Sequence, residues 1–212
     1  MKKKSLIIIS VFILINNLIF LNLSSQIKNT IVVKVGNALI TSVDVQNEII
    51  TNLIINNQQL NQENINSNKN YAVKNLINKL IKKSEIEKYK VTGYNKKDLE
   101  VYLNNVAKNL GTNLSGLKEK FNENQINYQT FIENYKIELL WNTMIFQLYK
   151  NQTNINIVDV ENEVEKIKQN KSEEELKQIK KNILNVKKDE KLQLFSRSHF
   201  SNIENSVVIN FQ

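Results

Sequence analysis

Cysteine and proline are absent from the 212 residues, glycine occurs four times and histidine once. Without cysteine there is no disulfide, no lipid-anchored cysteine and no thiol nucleophile, so the fold depends on its core alone. A single histidine, His199, leaves no zinc site of ordinary ligation, and no Ser-His-Asp arrangement can be placed around it. Four scattered glycines form neither of the glycine-rich phosphate cradles that follow a strand and open a helix. No catalytic residue, cofactor or metal is therefore expected, and His199 is read as a packed or surface residue of the last helix. With so few chain-breakers, long helices joined by Asn-rich turns are favoured over a sheet full of tight hairpins.

What is present suits a packed domain. Hydrophobic residues make up 41% of the chain, enough for an ordinary core. Asn, Ile and Lys are used heavily throughout, without the clustering of a prion-like tract, which reads mostly as biased codon usage. Lys2, Lys3 and Lys4 precede a hydrophobic run over residues 6–21 that is broken only by Ser10, Asn16 and Asn17, the pattern of an export leader. Cleavage is expected near Ser24 and Ser25, with an uncleaved N-terminal anchor as the alternative. The net charge is +8, and losing those three lysines, the only charged residues before Gln26, lowers it to +5. Lysines dispersed among acids, with no arginine cluster, argue against a nucleic-acid partner. A mildly basic surface allows contact with anionic membrane surface or with acidic client segments.

Beyond the leader, the β-branched run Ile31-Val32-Val33-Lys34-Val35, the Gly36-Asn37 turn and Ala38-Leu39-Ile40 predict a short hairpin. Thr41 or Ser42 then caps a first helix running to about residue 58. Residues 59–68 are polar and read as a loop. Further helices are expected over residues 69–89, over 96–110, after Thr112 or Asn113, over 127–149 and, short and charged, from 158 or 159 to about 170. A long last helix capped by Ser172 follows, and Ser206-Val207-Val208-Ile209-Asn210-Phe211 predicts a strand that returns to the hairpin. The expected fold is mainly α, with a short N-terminal β-hairpin joined by a C-terminal strand. Its parts are a leader at 1–25, a helical domain at 29–170 and a helix and strand at 172–212 packing back on it.

The helix over residues 127–149 carries more apolar surface than one core face needs. Tyr128, Ile132, Tyr135, Leu139, Phe146 and Tyr149 form one stripe at helical spacing, and Ile137, Trp141, Met144 and Leu148 form a second. One stripe faces the core. The other is open to a third helix of the same domain, a partner subunit or an unfolded client.

The order of these features resembles the SurA-type periplasmic chaperones. The matching stretches are Val33-Lys34-Val35-Gly36-Asn37-Ala38-Leu39-Ile40-Thr41, Asn109-Leu110-Gly111-Thr112-Asn113-Leu114 with Leu117, and Tyr128-Gln129-Thr130-Phe131. They lie within residues 29–168, and residues 176–211 resemble the family's C-terminal helix and strand. In that family one or two parvulin-type isomerase domains lie between the long helix and the last one. Here residues 157–171 separate them, too few for such a domain. The resemblance thus implies a periplasmic holdase for unfolded outer-membrane proteins, without isomerase activity. Its client groove would be bordered by the long and last helices and lined by Ile137, Trp141, Met144, Leu148 and Tyr149. The alternative is an envelope structural or assembly subunit in which the same helix face is a homodimer seam.

Overall fold

The computed structural model describes residues 29–212, so the leader expected at 1–25 lies outside the described residues. The fold is mainly α, as the composition implies. Strands β1 (Ile31–Val35) and β2 (Ala38–Thr41) are followed by helices α1 (Ser42–Ile55), α2 (Gln62–Lys88), α3 (Lys96–Asn109), α4 (Leu114–Glu123) and α5 (Tyr128–Tyr149). A 3-10 turn (Lys150–Gln152), α6 (Ile157–Lys166), α7 (Glu173–Glu204) and strand β3 (Ile209–Phe211) complete the chain. None of the described helices is long and apolar enough to cross a membrane.

Asparagine has a definite structural use at the helix starts. Asn61, Asn95, Asn113, Asn127 and Asn156 are the N-caps of α2 to α6, and each side-chain oxygen accepts a bond from a backbone N–H of the first turn. Each such cap stabilises by about 1 kcal/mol relative to alanine. Thr41 and Ser172 cap α1 and α7 in reciprocal boxes with Asp44 and Glu175. Asn61 explains why α2 begins earlier than expected. Residues 62–68 are polar because that stretch is largely exposed, yet the cap and the lack of Gly and Pro let the helix start there.

The helix ends show a matching economy. Asn57, Lys90, Gly111 and Gln125 take left-handed φ of 52°, 55°, 66° and 58° just past α1 to α4. In each case the next N–H reaches back to a carbonyl of the last turn, as in Val91 N to Ile86 O and Ile126 N to Phe121 O. Three of these four positions lack glycine, so the chain turns sharply with few glycines at some backbone cost.

The sheet order is β2-β1-β3, all antiparallel. Val33 lies opposite both Ile40 and Phe211, and Val35 opposite both Ala38 and Ile209. The C-terminal strand therefore returns to the hairpin. One face of the sheet covers α2, where Val33, Val35 and Ile40 bury against Ile77 and Ile81. At the other end, Leu103, Val106, Leu117, Phe121 and Phe131 join α3, α4 and the start of α5. Between α1 and α2, the buried carboxylate of Glu48 accepts from Asn75 and pairs with Lys79 at 2.7 Å. A third cluster, Ile86, Val91, Trp141, Met144 and Ile145, ties α2, α5 and α7 together.

Candidate functional site

α7 lies across the second stripe of α5 and fills the place that the sequence leaves open. Trp141 is 2% exposed and Met144 fully buried. The indole N–H of Trp141 donates to Ser196 Oγ at 2.8 Å, and its ring meets Phe200 edge-on at 6.0 Å. Tyr149 stacks on Phe195 at 4.8 Å, and Leu148 packs on the same cluster. The expected lining residues Trp141 and Met144 are thus covered, because α7 supplies Leu192, Phe200 and Ile203 to this core, and the recess of about 420 Å³ that stays open along the α5–α7 seam is lined instead by Asn142, Ile145, Leu192, Gln193 and Ser196. Trp141 and Met144 are interior residues here and line neither an open client groove nor a dimer seam. The first stripe is the less buried one, with Phe146 51% exposed.

Of the five residues expected at a binding face, Ile137 lines an open cleft. That cleft, about 780 Å³, lies between the C-terminal end of α2, the turn after it and α5. Its apolar floor is Ile86, Val91, Ile137 and Leu140, and Lys83, Glu87, Lys90, Glu133 and Lys136 stand among the residues around it. The left-handed Lys90 turn folds Val91 back toward Ile86 and so builds part of that floor. Ile86 and Val91 also belong to the Trp141 cluster, so the cleft is the open side of a core whose other side α7 covers.

The electrostatics of the rim are uneven. Lys136 pairs with Glu133 at 2.7 Å. The hydrogen bond between them comes first in lowering the Glu133 carboxyl and raising the Lys136 amine from their ordinary values. Among the described residues, Lys83 and Lys90 carry no ion pair.

Behind the cleft, His199 joins three helices. Its Nδ1 lies 2.8 Å from the Tyr149 hydroxyl and its Nε2 lies 3.3 Å from Glu85 Oε1. With Nε2 protonated, the ring donates to Glu85 and accepts from Tyr149. Glu85 is also paired with Lys88 at 3.0 Å. The imidazole is packed among Trp141, Tyr89 and Tyr149 and is not part of the cleft lining, so its evident work is to pin α7 to α2 and α5.

Sequence reasoning missed Ile86, Val91, Leu140 and the two lysines. Ile86 carries an inward helical spacing, which describes it correctly but hides that it faces a cleft. Val91-Thr92-Gly93 reads as a helix stop, and the sequence carries no signal that the stop turns back to make a wall.

Among the described residues, a small sheet on seven helices defines a mainly helical domain, and the apolar cleft between α2 and α5 is a more capacious open recess than the one along the α5–α7 seam. No family model matches the chain, and no curated protein is significantly similar to it.

Proposed function

We propose that the protein is a periplasmic holdase that shields unfolded outer-membrane proteins and assists their folding or assembly, with no prolyl isomerase activity of its own. The observation that carries this reading is the α2–α5 cleft, whose floor is aliphatic and whose volume of about 780 Å³ leaves room for apolar side chains of an extended chain. Strands destined for an outer-membrane barrel alternate apolar and polar residues and have nowhere to bury the apolar face until they close in lipid. A cleft of Ile, Val and Leu with a charged rim offers such strands cover without sequence specificity. The ordered likeness to SurA-type chaperones supports the same reading. The client face moves from Trp141 and Met144 to Ile86, Val91, Ile137 and Leu140.

The test is light scattering of a urea-denatured barrel protein diluted into buffer with and without the purified chain. Near-stoichiometric suppression of aggregation is expected. Unchanged scattering from a folded protein would contradict the reading.

A further inference from the structure

A second cleft, about 460 Å³, opens on the same helix as the first and is lined by Leu80, Ile81, Lys83, Ser84 and Glu87, with the Gly36-Asn37 turn and Val207 beside them. Lys83 and Glu87 line both clefts, so they form the wall the two share. Leu80, Lys83, Glu87 and Lys90 follow one another at three- and four-residue spacing, which puts them along one side of α2 and its closing turn. From Leu80 to Lys88 the helix rises roughly 12 Å, the length of about four extended residues.

We infer that the two clefts act as one track, and that its occupant is an extended polypeptide segment with apolar residues at alternate positions and acidic residues between them. This rests on the holdase reading above and names the kind of client segment that the site prefers. The apolar residues would enter the recesses on either side of the Lys83–Glu87 wall. Charge decides the intervening ones. Glu133 is already committed to Lys136 and to Gln129, whereas Lys83 and Lys90 have no ion-pair partner among the described residues, leaving Glu87 as the one opposing charge between them. Lys96 and Lys97, exposed just past the cleft, extend the cationic side, while Asp98 accepts a bond from Asn95. A carboxylate laid along the track thus meets two unpaired ammonium groups, and a client lysine there meets like charge.

The experiment uses fluorescein-labelled nine-residue peptides with Leu at alternate positions and Glu, Gln or Lys between, titrated with the chain and followed by anisotropy at low and high salt. The Glu peptide should bind about tenfold more tightly than the Lys peptide, and the gap should shrink in high salt. The double variant Lys83→Gln, Lys90→Gly should bring the Glu peptide to the affinity of the Gln peptide while leaving the Gln peptide unaffected. Glycine suits the left-handed backbone at position 90, so this variant tests charge without straining the fold. Equal affinity for all three peptides, an unaltered preference in the variant, or binding to anionic lipid vesicles with no binding to any peptide overturns the inference. Client aggregation measured alongside separates the two claims. Full suppression together with equal peptide affinities removes the acidic preference and leaves the holdase reading standing, whereas no suppression by the unaltered chain removes that reading and the inference with it.

Discussion

Trp141 on α5 donates its indole N–H to Ser196 on α7 at 2.8 Å, across 55 residues of sequence. That bond, with Phe200 against the indole ring, seals the apolar stripe on which a client or a second subunit would otherwise sit. Lys82 stands 5.7 Å from the centre of the same ring and pairs with Glu138, so the seal is closed on its α2 side as well.

The sealed stripe makes a spectroscopic prediction. Trp141 is the single tryptophan, so intrinsic fluorescence reports this one site. Its emission should be that of a buried indole, weakly quenched by acrylamide, and unchanged when client binds. Ser196→Ala leaves the indole N–H without a partner and should cost about 1 kcal/mol in denaturant unfolding, whereas Trp141→Ala should cost about 3–5 kcal/mol. Client-dependent exposure of the indole would mean that α7 lifts, contrary to this account.

The buried pair between α1 and α2 offers a second test. Glu48 is 3% exposed at its side chain and Lys79 is 14% exposed. Replacing Lys79 by Met leaves a buried carboxylate without its cation and should lower stability by roughly 3–5 kcal/mol. The double variant Glu48→Met, Lys79→Met should recover most of that loss. A double variant no more stable than the single one would show that the pair is not the dominant interaction at this site.

Alkaline pH should act through Tyr102. Burial first, then Tyr135, Glu48 and Tyr71, pushes its hydroxyl up from 10.0 to about 12. A folded-state value above the unfolded one means that the native fold holds the proton more tightly. The associated stability is complete below about pH 10 and is lost as pH rises toward 12. The ring of Tyr102 stacks on Tyr135 at 3.4 Å, so Tyr102→Phe keeps the packing and removes the ionisation. The stability difference between the unaltered chain and this variant, followed from pH 9 to 12 by urea unfolding, should fall with rising pH. A flat difference would place the ionisation elsewhere.

The cleft itself is tested by Ile137→Asp. A charge on the apolar floor should weaken client protection at least roughly tenfold. Circular dichroism should keep its helical signal, because Ile137 is only half-buried. Full protection with Asp at this position would remove Ile137 from the binding face.

Much of the fold is legible in the chain, for reasons that differ by element. Gly36 sits at φ 56° in the turn between β1 and β2, the conformation that makes Gly36-Asn37 a recognisable hairpin signal. Ser172 with Glu175, and Asn113 before Leu114, announce helix starts through side chains that serve their own first turn. Such local signals involve residues two or three apart, and sequence displays them directly. The start of α2 escaped because its first two turns are exposed and carry little apolar periodicity. The site was harder still. Two apolar stripes on α5 are visible in sequence, but which one α7 covers depends on contacts such as Trp141 to Ser196, and nothing local encodes them. The cleft arises where a turn at Lys90 brings Val91 beside Ile137, 46 positions along, and only the assembled fold places them together.

The most direct measurement is site-specific photo-crosslinking to a bound barrel client. The chain has no cysteine, so Thr92→Cys at the cleft rim and Gln193→Cys at the seam between α5 and α7 each give a unique attachment point for a photoreactive maleimide. Client should crosslink from position 92 and hardly at all from position 193. Crosslinking from position 193, with position 92 silent, would return the client to the Trp141 face and contradict the account.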